Sequence, residues 1–376
     1  MRVLMTGGGT AGHINPALAI AKSIQKAYPD TEFLFVGADG KMETRLVPAA
    51  GFPIKTMKVQ GFYRKITPRN LVRNVGTVVH MLTASHVSAG ILREFQPDIA
   101  IGTGGYVCGP ILRKALKMGI PVLVHEANAL PGITVKTLAR EGATVLLCSE
   151  DAQKHLPEGV HSIVTGNPLR PEFLHTPTPE EKKAARAALG VDDRPLILSF
   201  GGSLGAARIN QAMIGVLERS RKIGKLQHIH GVGKAGFEQA VATLKQKEMP
   251  LNENGISVRE YIDDMPRCMA AADLIISRCG AMTLSEIPAA GKPAILIPSP
   301  YVAENHQYHN AMTLVRHGAA LCIEEKDLTA DSLWEAILSV TEHPDKLAQM
   351  AENAEKLAIR DADERILAVV RDTLKL

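Results

Sequence analysis

The stretch Thr6-Gly7-Gly8-Gly9-Thr10-Ala11-Gly12-His13-Ile14-Asn15-Pro16 follows a short apolar run, Arg2 to Met5, and leads into Ala17-Leu18-Ala19-Ile20-Ala21, which has the composition of a helix. It reads as a strand-to-helix turn. Glycines at such a turn let backbone amides point into open space beside a positive helix N-terminus, an arrangement suited to a phosphate or diphosphate. Any tight turn of this kind shares that composition, so the glycines alone decide little. His13 adds more, because packing does not call for an imidazole at the start of that helix. It puts a titratable group beside the cradle.

A like strand-turn-helix begins at Leu196 to Ser199, with Phe200-Gly201-Gly202-Ser203-Leu204-Gly205-Ala206 as its turn and a helix from Ala207. Two further glycine turns follow strands: Gly102-Thr103-Gly104-Gly105-Tyr106-Val107-Cys108-Gly109-Pro110 and Arg278-Cys279-Gly280-Ala281-Met282-Thr283-Leu284-Ser285-Glu286. Apolar β-rich runs recur at Glu32 to Val36, Ile99 to Gly102, Pro121 to Val124, Thr144 to Leu147 and Ile163 to Thr165. They recur again at Pro195 to Ser199, Gln227 to Gly231, Ile256 to Glu260, Leu274 to Ser277, Ala294 to Ile297 and Ala320 to Cys322. Strands alternating with helices predict an α/β chain with two Rossmann-like parallel sheets.

A length of 376 residues suits two domains, each with its own core. The first is expected over 1–166 and the second over 194–356. Between them, 167–193 carries Pro168, Pro171, Pro177 and Pro179 and a charged helix, and reads as the connection. The terminal helix, about 357–376, is available to pack back on the first domain. Ligands of open parallel sheets bind beyond the carboxyl ends of the strands, so two such domains facing each other would enclose a cleft into which all four turns open.

With 45% apolar and 22% charged residues the chain is globular, and no run of about eighteen uncharged apolar residues offers a membrane span. Met1 to Met5 is already a core strand, which speaks against an export signal. Five cysteines, scattered without metal-ligand spacing, predict no disulfide and no zinc. There is no P-loop Lys-Ser/Thr and no Gly-x-Ser-x-Gly nucleophile turn, so phosphoryl transfer and esterase chemistry lose ground. No metal and no cofactor are expected. Residues 1–170 hold 19 Lys and Arg against 11 Asp and Glu, a net of +8, leaving 24 against 28, or −4, for the remainder. Aromatics at 4% leave base stacking little to work with, so no nucleic-acid partner is expected and the basic half points to anionic lipid or a polyanionic substrate.

Glu286, early in the helix after the fourth turn, is suited to accept hydrogen bonds from ribose hydroxyls. The stretch Glu304-Asn305-His306-Gln307-Tyr308-His309-Asn310-Ala311 and Asn128 in His125-Glu126-Ala127-Asn128 supply amides and imidazoles for a hydroxyl-rich ligand, while His125 itself reads as structural. Taken in order, these motifs resemble the peptidoglycan N-acetylglucosaminyltransferases of glycosyltransferase family 28. The resemblance rests on Gly8 to His13, Gly104 to Pro110, His125 to Asn128, Gly166-Asn167-Pro168-Leu169-Arg170, Gly201 to Ala206, Ile262-Asp263-Asp264-Met265, Gly280 to Glu286 and His306 to Ala311. It covers nearly the whole chain.

The resemblance implies a GT-B fold and inverting, metal-independent transfer of N-acetylglucosamine from UDP-N-acetylglucosamine to an undecaprenyl-diphosphate-linked muramoyl peptide. The enzyme would be peripheral, on the cytoplasmic face of the plasma membrane; its oligomeric state stays open. It further implies that Ile262 reads uracil through its backbone, Glu286 the ribose, Ser203 and Arg170 the diphosphate, and Asn128 and Gln307 the sugar hydroxyls. Ala281, Met282, Thr283, Leu284 and Ser285 would complete the donor site, Thr10, Ala11 and Gly12 would lie against the transferring region, and Gly104, Gly105 and Tyr106 would face the acceptor. Ala11 stands where that family usually has glycine, and Ala127 and Leu204 where glutamine is common. His13 is either the base or a positioning group for the acceptor diphosphate, and a neutral imidazole, which a helix N-terminus favours, can accept a proton. Another GT-B UDP-sugar enzyme, a glycolipid glycosyltransferase or a UDP-sugar epimerase, is the competing reading. A nicotinamide dehydrogenase would need an acidic residue at the end of the second strand, and Asp39 lies too far from Val36.

Phe62 to Leu82 mixes basic and apolar residues as an interfacial segment does, and equally as an amphipathic helix packed on a sheet does. Changing Arg64, Lys65, Arg69 and Arg73 together to Ser is expected to abolish sedimentation with anionic vesicles. Undiminished binding would exclude the membrane role.

Overall fold

The computed structural model describes residues 1–59 and 83–376; the basic-apolar segment Phe62 to Leu82 lies outside them. The chain divides into two compact units, Met1–Pro168 with Asp361–Leu376, and Leu169–Arg360.

The first unit runs β1 (Arg2–Thr6), α1 (Ala11–Ala27), β2 (Glu32–Ala38), α2 (Glu43–Ala49), β3 (Ile54–Met57), α3 (helical over 83–95), β4 (Ile99–Gly102), α4 (Cys108–Lys117), β5 (Val122–Glu126), α5 (Ile133–Arg140), β6 (Thr144–Leu147), α6 (Glu150–Gln153) and β7 (Ser162–Val164). The second runs α7 (Pro179–Leu189), β8 (Leu196–Phe200), α8 (Ala207–Ile223), β9 (Gln227–Gly231), α9 (Phe237–Gln246), β10 (Asn252–Glu253), β11 (Ile256–Arg259), α10 (Met265–Ala271), β12 (Leu274–Ser277), α11 (Ala281–Ala289), β13 (Ala294–Leu296), α12 (His306–Arg316), β14 (Ala320–Cys322), α13 (Ala330–Thr341) and α14 (Pro344–Lys356). The last helix, α15 (Ala362–Leu374), returns to the first unit.

Sheet order in the first unit is β3-β2-β1-β4-β5-β6-β7, all parallel. Its central strand is buried on both faces, which is why Val3, Leu4 and Met5 form an unbroken apolar run. Leu4 joins the core under α4 and α5, while Val3 and Met5 join the core under α1 and α15. There Ile366, Val369 and Val370 are buried, each worth about 1.5–3 kcal/mol of transfer free energy. The second sheet is β10-β11-β9-β8-β12-β13-β14, parallel except for the β10–β11 pair.

In each unit the chain winds outward to one side of the central strand and then crosses to the other. The crossing lies between β1 and β4 in the first unit and between β8 and β12 in the second. All four glycine turns follow these four strands, at the two switch points where parallel sheets open a crevice.

Two strands have no counterpart in the sequence reading. β3 is a four-residue edge strand and β10 only two residues, too short for an alternation to register. The stretch 167–193, read from the sequence as the connection between domains, packs on the second unit. Leu169, Phe173 and Ala185 are buried in the second unit's core, and the α7 side chains Lys182 and Arg186 bond Asp273 at 2.6 and 3.0 Å. The prolines there punctuate turns inside that unit, and the chain passes between units at Pro168–Leu169 and Arg360–Asp361.

On β9, His228 and His230 are fully buried. Their imidazoles bond the Ser220 and Ser199 hydroxyls at 2.7 and 2.8 Å. Burial pushes them down to about 3 and about 4, from an ordinary 6.5. Below about pH 6.5 the unfolded chain takes up protons the fold refuses, so stability falls as pH drops from there toward 4, by up to about 1.4 kcal/mol per pH unit for each histidine. Urea unfolding at several pH values is expected to show this slope, and His228→Gln to flatten it.

Candidate active site

In the first unit, the turn after β1 and the turn after β4 cross backbone against backbone. The Gly8 amide donates to the Gly104 carbonyl at 3.4 Å, and the Thr103 hydroxyl to the His13 carbonyl at 2.7 Å. A Cβ on Gly105, whose φ is +88°, would lie 2.3 Å from the Gly8 carbonyl oxygen, so only glycine permits the crossing. This brings Thr10, Ala11, Gly12 and His13 together with Gly104, Gly105 and Tyr106. Thr10 is the N-cap of α1 but makes no side-chain capping bond. The His13 Nδ1 faces the Gly8 carbonyl oxygen at 3.1 Å and the Thr10 hydroxyl at 3.4 Å. A carbonyl only accepts, so Nδ1 carries the proton in this contact, which in the neutral imidazole makes Nε2 the accepting nitrogen.

Two carboxylates to which the sequence reading gave no role shape this unit. Glu43, fully buried at the start of α2, accepts from the Gly9 amide at 3.1 Å and the Ala38 amide at 3.0 Å. Burial and then its charge push the Tyr106 hydroxyl upward. Glu126, at the end of β5, accepts from the Asn128 backbone and side-chain amides, both at 3.0 Å, and from the Gly132 amide at 2.9 Å. It fixes the orientation of the Asn128 side chain. A charged residue ending an apolar strand was the available signal for Glu126; the irregular stretch around Glu43 offered none. His125 is fully buried, bonds the Gly166 carbonyl at 3.1 Å, and is pushed down to about 4 by burial.

In the second unit a cavity of about 510 Å³ sits at the β8–β12 switch point. It is lined by Gly201, Gly202 and Gly205, by Gly280 and Thr283 at the start of α11, and by Arg278 and Gln307. Neither α8 nor α11 has a side-chain cap or an acidic residue in its first turn, so both present unshielded amides and a positive dipole end. The Arg278 guanidinium donates to the carbonyls of Ile297 and Pro298 at 3.2 and 3.1 Å and pairs with buried Glu325. Gln307 accepts from the Ser299 amide at 2.9 Å and the Cys279 amide at 3.3 Å, which leaves its NH2 end to bond elsewhere. Arg278 and Glu325 are functional candidates that the sequence reading did not select.

Of the residues of this unit expected on the donor side, Thr283 and Gln307 line the cavity, whereas Arg170, Ser203, Ile262, Ala281, Met282, Leu284, Ser285 and Glu286 do not. Ser203 is exposed at the tip of the Gly201–Ala206 turn, Ile262 follows β11 and is buried, and Ala281 to Glu286 form most of α11. Arg170 and Glu286, expected to hold different parts of one ligand, bond each other: Arg170 Nε donates to Glu286 at 2.9 Å with its guanidinium 5.0 Å over the Phe173 ring. Burial raises the Glu286 carboxyl, against the lowering effect of Arg170. Among the described residues no group of His, Cys, Asp and Glu is arranged to hold a metal ion, and no helix is long and apolar enough to cross a membrane.

Two parallel-sheet units with glycine turns at both switch points, and an anion-suited cavity in the second, form the architecture of the GT-B class. The glycosyltransferase family 28 N-terminal domain matches residues 3–147 and the family 28 C-terminal domain matches residues 196–366. The chain belongs to glycosyltransferase family 28. A relative from Acetivibrio thermocellus, UDP-N-acetylglucosamine–N-acetylmuramyl-(pentapeptide) pyrophosphoryl-undecaprenol N-acetylglucosamine transferase, is 43% identical over 100% of this chain and 99% of its own. Among solved structures, Acinetobacter baumannii MurG matches with a TM-score of 0.79 at 28% identity, over 99% of each chain. The UDP-GlcNAc 2-epimerase of Neisseria meningitidis matches with a TM-score of 0.65 at 16% identity, over 99% of this chain and 100% of its own, and so shares the fold alone.

Proposed function

We propose that this chain transfers N-acetylglucosamine from UDP-N-acetylglucosamine to the C4 hydroxyl of undecaprenyl-diphosphate-linked N-acetylmuramoyl peptide, with inversion, in peptidoglycan synthesis. The observation that carries the site assignment is the cavity at the β8–β12 switch point, where two uncapped helix N-termini converge. That is the environment a departing diphosphate requires, because negative charge develops on it as the glycosidic bond breaks. The amides of Gly202, Ser203 and Leu204 receive the diphosphate, with Arg170 beside them, and the Gln307 amide meets the sugar hydroxyls. Glu286 accepts from the ribose and the Ile262 backbone reads uracil.

The attacking side belongs to the first unit. His13 Nε2 takes the proton from the acceptor hydroxyl, whose oxygen forms the new bond to the anomeric carbon while the electron pair of the old bond leaves with UDP. Attack from the face opposite the leaving group inverts the centre. Asn128, oriented by Glu126, contacts the donor sugar, and Gly104, Gly105 and Tyr106 meet the acceptor. The enzyme works as a peripheral protein on the cytoplasmic side of an anionic membrane, a reading supported by the net +8 of residues 1–170.

The test is UDP release from UDP-N-acetylglucosamine and a short-chain muramoyl-peptide diphospholipid. His13→Ala is expected to bind the donor normally and to lose roughly 10²–10⁴-fold in turnover. Glu286→Gln is expected to weaken UDP binding about 10-fold or more, as loss of a charged hydrogen-bond acceptor does. Near-wild-type turnover in His13→Ala would reject the histidine's role, and absence of UDP release by the wild-type protein would reject the reaction.

A further inference from the structure

Beneath the first glycine turn, Glu43 is an ionisable side chain with no exposure to solvent, and the transfer chemistry described above makes no use of it. Both carboxylate oxygens are committed. Oε2 accepts from the Gly9 amide, in the turn after β1, and Oε1 accepts from the Ala38 amide, at the end of β2. The side chain therefore ties two neighbouring strand ends together at the point where the turn leaves the sheet. Two close approaches make room for it. A Cβ on Gly8 would stand 2.3 Å from Glu43 Oε1, and one on Gly37 would stand 2.6 Å from its Cγ.

Gly8 is thereby held from two sides, by Glu43 beneath and by the Gly105 backbone across the crossing. Its carbonyl is the group that faces His13 Nδ1 at 3.1 Å. A shift of this carbonyl by an ångström would lengthen the bond beyond hydrogen-bond range and free the imidazole to take either tautomer. On the opposite edge of the ring, a Cβ at Gly104 would stand 3.1 Å from Nε2, so that residue's lack of a side chain keeps the lone pair accessible.

We propose that Glu43 is a positioning residue for His13: by holding the Gly9 and Ala38 amides it fixes the Gly8 carbonyl, which keeps the proton on Nδ1 and leaves Nε2 as the proton acceptor. The carboxylate also claims the Gly9 amide, which the bare glycine pattern would assign to a bound phosphate. A carboxylate is required because both partners are N–H donors. Glu43→Gln retains the shape but turns one oxygen into an NH2 group facing an N–H, which breaks one of the two bonds.

The inference rests on the reading of His13 as the reacting group, and a double-mutant cycle separates the two. Turnover and donor KM are measured for the full-length wild type, Glu43→Gln, His13→Ala and the double variant. Glu43→Gln is expected to lower kcat roughly 10- to 100-fold, the scale of a misplaced catalytic group, with the KM for UDP-N-acetylglucosamine within about twofold. On the His13→Ala background it is expected to cost nothing further, because its effect runs through the imidazole. In ¹⁵N-histidine spectra the His13 signal, assigned by its loss in His13→Ala, should be Nδ1-protonated in the wild type and mixed in Glu43→Gln. An equal loss from Glu43→Gln on both backgrounds, an unchanged tautomer, or wild-type kcat would overturn the proposal. If Glu43→Gln lowers the melting temperature enough to unfold the protein, Glu43→Asp, which keeps both acceptors at shorter reach, takes its place in the cycle with the same criteria. Full turnover in His13→Ala would instead remove the histidine reading on which the proposal stands.

Discussion

The close approach of main chain to main chain at the carboxyl ends of the central strands is the constraint on which both halves of this protein depend. In the first unit it is the Gly8–Gly105 crossing. In the second, a Cβ on Gly205 would lie 2.0 Å from the Val232 carbonyl oxygen, and one on Gly233 would lie 2.2 Å from the Gly205 amide nitrogen. At such distances no side chain fits, whatever the rest of the turn does. The first crossing sits at the β1–β4 switch point itself, and the second joins the turns after β8 and β9, next to the β8–β12 switch point, so the steric rule that selects glycine also shapes where a ligand can reach the backbone. Fold and site are one decision here.

The same local pattern nevertheless serves two electrostatic ends. In the second unit the helix N-termini remain uncapped, so their field favours an anion, while the Arg278 guanidinium in the cavity wall is balanced by its partner Glu325. In the first unit a buried carboxylate occupies the Gly9 amide, and the Gly8 amide is spent on the Gly104 carbonyl. What the first turn offers is a fixed imidazole beside the exposed start of α1. On the function proposed here, a chain with two copies of a phosphate-loop signature uses one for charge stabilisation and the other as a mount for a proton acceptor. The Arg170–Glu286 pair adds a further point: the two groups proposed for diphosphate and ribose bond each other, and the arginine offsets the penalty of burying Glu286.

Much of this was legible from residues 6–16 and their repeat at 200–206. The strand-turn-helix order, the parallel sheets and the four glycine turns follow from patterns with a fixed period or a fixed steric demand. The strands β3 and β10 escaped because two to four edge residues carry no period. The packing of residues 167–193 was not legible, because prolines mark turns inside a domain as readily as between domains, and only the fold shows Phe173 and Ala185 buried. Glu43, Glu325 and Arg278 were hidden for a different reason. Their importance comes from partners far along the chain, such as Gly9 for Glu43 and Glu325 for Arg278, and no spacing rule encodes a contact that the fold alone creates.

The central claim is that the second glycine turn, not the first, takes the nucleotide diphosphate. Hydrogen–deuterium exchange of the full chain with and without UDP tests it most directly. The account predicts slowed exchange at residues 201–206 and 280–286. Slowing confined to residues 7–13 and 102–106, with 201–206 unchanged, would contradict it.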